Sequence, residues 1–145
     1  MYKETQQFRQ PWAWVLLLVC LAFVVYRWQP GGIAIVLAVI ALFWPLKLET
    51  VIDHDGIGYR WLPFQRRFSR IPWTEIEQIA IRKYAPIGEF GGWGMRLGWN
   101  GAAHTTSGNW GIQINQKGKK RFLLLGTQRP DEVRQLLESR KLVVA

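Results

Sequence analysis

Asp53-His54-Asp55 sets two carboxylates and an imidazole in consecutive positions, donor types suited to a divalent cation or to acid–base work. Neighbouring residues of an extended chain point to opposite faces, so the three donors do not readily converge. Gly56 follows, and the stretch reads as an Asp-Gly hairpin turn instead. His104, the second histidine, precedes Thr105, Thr106 and Ser107. A hydroxyl and an imidazole this close in sequence lack the orienting carboxylate and oxyanion site of an acyl-transfer triad. Gly91, Gly92, Gly94 and Gly98 precede no helix, and Gly118-Lys119-Lys120 lacks the earlier glycine and the Ser/Thr of a phosphate loop. The expectation is therefore no catalytic residue, no metal site and no cofactor, and a chain that is not an enzyme.

The elements that position these residues begin with two charge-free apolar runs, Pro11–Tyr26 and Gly32–Leu46, separated by Arg27-Trp28-Gln29-Pro30-Gly31. A bilayer of about 30 Å needs about 20 helical residues. Counting flanking uncharged residues, the runs predict two membrane spans, near 11–28 and 31–46. Trp12, Trp14, Trp28 and Trp44 stand near the run ends, where aromatic belts belong. Gln29-Pro30-Gly31-Gly32 admits only a tight turn, so the spans return to one side. A hairpin buried in lipid without crossing it is the alternative, weighed against by Arg27 and Trp28. Lys3, Arg9 and Lys47 flank the spans, which by the positive-inside rule predicts a multi-pass protein of the cell inner membrane with both termini cytoplasmic. The single cysteine, Cys20, falls inside the first run, so no disulfide within the chain and no thiolate cluster is possible.

After Lys47 the pattern alternates. Strands are expected at 48–53, 57–62, 66–71, 77–84, 93–99, 109–115 and 119–125, with a Gly-rich loop at 85–92 and a polar loop at 100–108. Pro130-Asp131-Glu132 starts a helix with Val133, Leu136 and Leu137 on one stripe, and Arg140 and Lys141 suit its C-terminal end. Two units are thus expected: an N-terminal two-helix transmembrane hairpin, 1–47, and a cytoplasmic β domain, 48–145.

Seven antiparallel strands followed by an amphipathic helix form a known order. The chain resembles small bacterial membrane proteins that carry a two-span N-terminal hairpin and a pleckstrin-homology-like domain. The residues that carry the likeness are Gly56-Ile57-Gly58-Tyr59-Arg60, Arg70-Ile71-Pro72-Trp73-Thr74-Glu75-Ile76, and Gly126-Thr127-Gln128-Arg129-Pro130 leading into Val133-Arg134-Gln135-Leu136-Leu137. The segment Gly88-Glu89-Phe90-Gly91-Gly92-Trp93-Gly94 is similar to an uncharacterised subgroup of that kind. The resemblance implies a seven-stranded antiparallel barrel or sandwich with a C-terminal amphipathic helix, and a membrane address; it implies no reaction. Phosphoinositide-binding members cluster Lys and Arg around the first hairpin, whereas here that turn is acidic, which argues against specific inositol phosphate recognition.

Residues 48–145 hold fifteen Lys/Arg and nine Asp/Glu, so most of the net charge of +9 lies in this part. On a membrane-tethered domain such an excess favours anionic headgroups over nucleic acid. The lipid-facing candidates are Arg66, Arg67 and Arg70 around one strand, and Lys117, Lys119, Lys120 and Arg121 around the last hairpin. Phe90 and Trp93, in the Gly-rich loop, are the candidate contact for a protein partner. The function expected is a non-enzymatic, membrane-anchored binding or scaffold module. The alternative is an accessory subunit of a transport or envelope-assembly complex, with the spans carrying the interaction through Gly32, Ala34, Ala38 and Ala41. The sequence does not specify the identity of the partner, the lipid or the oligomeric state.

Overall fold

The computed structural model describes residues 1–140; Lys141 and the remainder of the expected domain end lie outside the described residues. Four strands make one antiparallel sheet in the order β1 (Tyr2–Gln7), β2 (Lys47–Ile52), β3 (Gly56–Leu62), β4 (Ser69–Pro72). Five more, β5 (Ile76–Lys83), β6 (Gly94–Leu97), β7 (Gly101–Thr105), β8 (Trp110–Gln116) and β9 (Phe122–Gly126), make a second sheet in the order β5-β8-β9-β7-β6. The helices are α1 (Pro11–Tyr26), α2 (Pro30–Phe43), the short α3 (Pro86–Phe90) and α4 (Pro130–Ser139).

The alternating isoleucines build the core, because every second residue of a strand faces the same way. Ile52, Ile57 and Ile71 of the first sheet meet Ile79, Ile81, Ile112, Ile114 and Leu125 of the second. Val133 and Leu137 of α4 close this cluster and are fully buried. The α4 stripe is the one its spacing predicts, and Pro130 occupies its first turn. The result is a sandwich-like pair of sheets.

The structure corrects several expectations. No described helix is long and apolar enough to cross a membrane. α1 has 16 residues and α2 has 14, which at about 1.5 Å per residue gives roughly 24 and 21 Å, short of the ~30 Å of hydrocarbon. The sequence reading credited both helices with flanking residues that are not helical. Gln29 is extended and Pro30 opens α2, while α2 ends at Phe43, just before Pro45. The two-span hairpin, the multi-pass inner-membrane address and the cytoplasmic placement of the termini that rested on it all fall with that count.

The seven-stranded antiparallel barrel is also overturned, and with it the likeness to the bacterial pleckstrin-homology-like proteins. There are two sheets of four and five strands, and β7 runs parallel to β9. Two strands go beyond the sequence pattern: β1 precedes the hairpin in a polar, charged segment, and β7 occupies the stretch whose small polar residues predict a loop. β7 opens on small residues, Gly101, Ala102 and Ala103, and its start is crowded: a Cβ on Gly101 would sit 2.6 Å from the Phe122 ring and carbonyl.

β1 pairs with β2 along its whole length, from Tyr2 opposite Ile52 to Gln7 opposite Lys47. The apolar hairpin is therefore an insertion between two adjacent strands of the β domain, not a module that precedes it.

Candidate functional site

The hairpin is apolar on every side. Neither helix contains a charged residue, and not one residue of α1 or α2 is buried by the rest of the protein. Val15, Leu18, Val19, Phe23 and Ile35 are each about 60% exposed or more, and Leu16, Leu37 and Leu42 about half exposed. Burying side chains of this size is worth about 1.5–3 kcal/mol each, so the uncovered surface forgoes on the order of 10 kcal/mol in water. A helix apolar all round normally lies in a protein core or in lipid. The half-buried positions, among them Leu17, Leu21, Val24, Gly32 and Val36, make the seam between the helices. A Cβ on Gly32 would lie 3.1 Å from Val24 Cγ1, so the small side of Gly32 is used inside the hairpin.

The base of the hairpin is tied to both sheets. Phe8 N–H donates to the Leu46 carbonyl at 3.2 Å, prolonging the β1–β2 ladder. Buried Gln10 donates from Nε2 to the Thr106 carbonyl at 2.7 Å, beyond the end of β7. Phe8 stacks obliquely on Phe43 at 5.4 Å and Trp14 meets Trp44 edge-on at 5.8 Å. One residue pair beneath the base deepens the connection: Gln6 donates to the Gly126 carbonyl and accepts from the Thr106 hydroxyl, each at 2.7 Å.

Between this base and the β6 edge lies a cleft of about 460 Å³. Trp12, Leu16 and Phe43 form its hairpin wall; Phe64, Trp93 and Met95 form its domain wall, with Trp61 also lining it. The volume is that of a small-molecule site, and its lining is almost wholly apolar. Among the described residues, Arg96 is the one charged residue lining it. The guanidinium donates from Nε to the Trp93 carbonyl at 3.2 Å, and among the described residues it makes no ion pair. On the other side of the base, Arg9 and Lys47 line a shallow polar depression.

The expected site residues divide between the two ends of the domain. Arg66 and Arg67 are exposed in the β3–β4 connection, beside Phe64 of the cleft wall. Arg70 is drawn instead to Asp53 and Asp55, at 3.1 Å from each. Lys117, Lys119, Lys120 and Arg121 are exposed in the β8–β9 turn. Lys117 N–H donates to the Glu75 carbonyl, next to the Trp73–Glu75 turn that is bonded to Asp55. That is the β2–β3 turn end, opposite the end of β2 from which the hairpin leaves. Phe90 is buried against Tyr84, Ala103 and Leu124. Trp93 is half-buried, with its indole N–H on the Gly108 carbonyl at 2.8 Å and its ring on the cleft. Arg9, Lys47 and Arg96 were not singled out as site residues, because their nearness depends on β1 and β6 flanking the hairpin base. Sequence spacing carries no trace of that.

The two histidines sit in a turn and between two aromatic rings. Asp53 Oδ1 accepts the N–H groups of Asp55 and Gly56 at 2.9 and 3.2 Å, a turn-forming arrangement. Burial alone would raise the Asp53 pKa; those bonds and Arg70 outweigh it and hold the carboxyl below its ordinary range. Asp53, His54 and Asp55 do bring ligand atoms within 4.8 Å of one another. The Asp53 oxygens are already engaged by N–H groups and Arg70, so the donor set does not fit a resident ion. His104 is half-buried, between Tyr59 and Trp61, and burial pushes its pKa down. Its Nδ1 accepts from the Trp61 indole at 2.8 Å.

No protein-family model matches this chain, and no curated protein or solved structure matches it either.

Proposed function

We propose that this chain is a non-enzymatic binding and scaffold module, held to a lipid bilayer by a helical hairpin that enters the hydrocarbon without crossing it. The observation that carries the reading is the hairpin itself: two helices of 16 and 14 residues, uncharged, with no residue fully buried and an exposed apolar surface outside the seam between them. Short apolar segments of this length suit re-entrant or interfacial insertion. Aromatic residues mark both ends, Trp12, Trp14 and Trp44 at the base, Tyr26 and Trp28 at the tip. A hairpin inclined within one leaflet puts both ends, and Arg27, at the headgroup level. Arg9, Lys47, Arg66, Arg67 and Arg96 surround the base and favour anionic headgroups, each such cation contributing about 1 kcal/mol. The β sandwich then stands at the bilayer surface. The outer edge of β6, with Leu97 and Trp99 exposed, is the surface it offers a protein partner through strand addition.

Flotation of the full chain with anionic vesicles tests the anchor. Lysine at Val15, Val19 and Phe23 together should abolish flotation; full retention would remove the hairpin from the reading. A Gln29→Cys reporter in a Cys20→Ala background tests the geometry. It should react with an impermeant thiol reagent from the domain's side of sealed vesicles, and reaction from the far side alone would overturn insertion without crossing.

A further inference from the structure

The cleft between hairpin and β6 deepens this reading and rests on it. Its hairpin wall, Trp12, Leu16 and Phe43, is continuous with the uncovered helix surface, so it opens onto whatever apolar medium receives the hairpin. Its domain wall is aromatic and apolar, and Trp61, fully buried elsewhere in its contacts, supplies the floor. On the domain wall both indole N–H groups are engaged, Trp61 on His104 and Trp93 on Gly108. The domain wall thus presents apolar surface with its indole donors satisfied and one cation, the Arg96 guanidinium, at its edge. A neutral chain with an anionic end matches that distribution, because desolvating an apolar tail is favourable and an unpaired cation attracts the head.

We infer that this cleft seats one acyl chain of an anionic membrane lipid, with the headgroup at Arg96. The lipid would wedge between hairpin and sandwich and fix the angle between them.

The test uses the full chain in vesicles doped with phosphatidylglycerol carrying a photoreactive group on its acyl chain, or with phosphatidylcholine carrying the same chain. Adducts are mapped by mass spectrometry. Phosphatidylglycerol should label Trp93–Met95 as well as the hairpin, and phosphatidylcholine should label Trp93–Met95 about fivefold less, the effect of one cation at an anionic surface. Arg96→Gln should erase that difference. Ala13→Trp, which fills the cleft from a half-buried helix position, should remove adducts at Trp93–Met95 and leave those at Val19 and Phe23. Adducts confined to Val15, Val19 and Phe23 with both lipids would overturn the seat and leave the anchor standing. Equal labelling of Trp93–Met95 by the two lipids would overturn the headgroup assignment. A chain that does not float would overturn the anchor itself, a result distinct from either.

Discussion

The indole Nε1 of Trp61 donates to Nδ1 of His104 at 2.8 Å, joining β3 of one sheet to β7 of the other. The donor has no alternative role, so the bond requires Nδ1 to carry a lone pair. Protonating His104 removes the acceptor and places a charge between Tyr59 and Trp61. Burial opposes that charge and holds the folded-state pKa below the unfolded value.

The pH dependence follows with a definite sign. A depressed histidine pKa means the unfolded chain binds the proton more readily, so stability is fully present above the unfolded pKa of about 6.5 and declines as pH falls below it. Asp53 adds a second, more acidic decline: its folded pKa lies below the ordinary 3.8, so its contribution is lost as pH falls below that value. Thermal midpoints measured between neutral and acid pH should show both steps, and His104→Gln should erase the upper one only. An upper step that survives this substitution would assign it elsewhere.

Trp61→Phe strands the His104 acceptor in a half-buried site and shrinks a fully buried side chain. The expected cost is about 1–3 kcal/mol in urea unfolding. Combining it with His104→Leu should cost less than the two changes added together, because the stranded acceptor goes too. Strict additivity would show that the bond contributes nothing.

The β1–β2 pairing separates two ways of shortening the chain. A fragment starting at Leu48 discards β1, and with it Glu4 and Gln6, both buried. These accept from the Thr127 and Thr106 hydroxyls and the Gln128 N–H, and donate to the Gly126 carbonyl. Four lost partners at about 1 kcal/mol each come close to the roughly 5 kcal/mol total of a marginally stable domain, so this fragment should not melt cooperatively. Replacing residues 9–45 by a short turn keeps β1 in place and should give a cooperatively melting domain. Equal melting of the two shortened chains by circular dichroism would show that β1 is dispensable.

Two glycines contrast in the same way. Gly101→Ala drives a Cβ to 2.6 Å from the Phe122 carbonyl, a backbone atom with nowhere to retreat. A loss of about 1–3 kcal/mol is expected from this overpacking. Gly118→Ala meets nothing within 4 Å and bears only the strain of its φ of +73°, roughly 1 kcal/mol. Chemical denaturation should rank Gly101→Ala as the more damaging.

Periodicity made some of this legible. The isoleucine alternation of β5 and β8 and the stripe of α4 are written in residue order, since each reports burial of one face of one element. What periodicity cannot supply is partnership. β1, reading Tyr-Lys-Glu-Thr-Gln-Gln, looks like a polar tail because its inward residues are Glu4 and Gln6, buried through hydrogen bonds rather than apolar contact. β7 is masked by Gly101, Ala102 and Ala103, of which Gly101 packs closely against Phe122. Met95 and Leu97 alternate as a core strand would, yet they lie on an exposed edge. The cleft assembles residues from α1, α2, β6 and the β3–β4 connection, and no local pattern encodes such a meeting.

Both feet of the hairpin are planted in hydrogen-bonded neighbours, Gln7 and Lys47, which in any sheet stand roughly 5 Å apart. A single-stranded leash lets its cargo swivel freely, whereas two adjoining stems resist torsion. Whatever grips the hairpin therefore also sets the compass heading of the sandwich, so that the β8–β9 turn with its three lysines and Arg121 always points away from the grip.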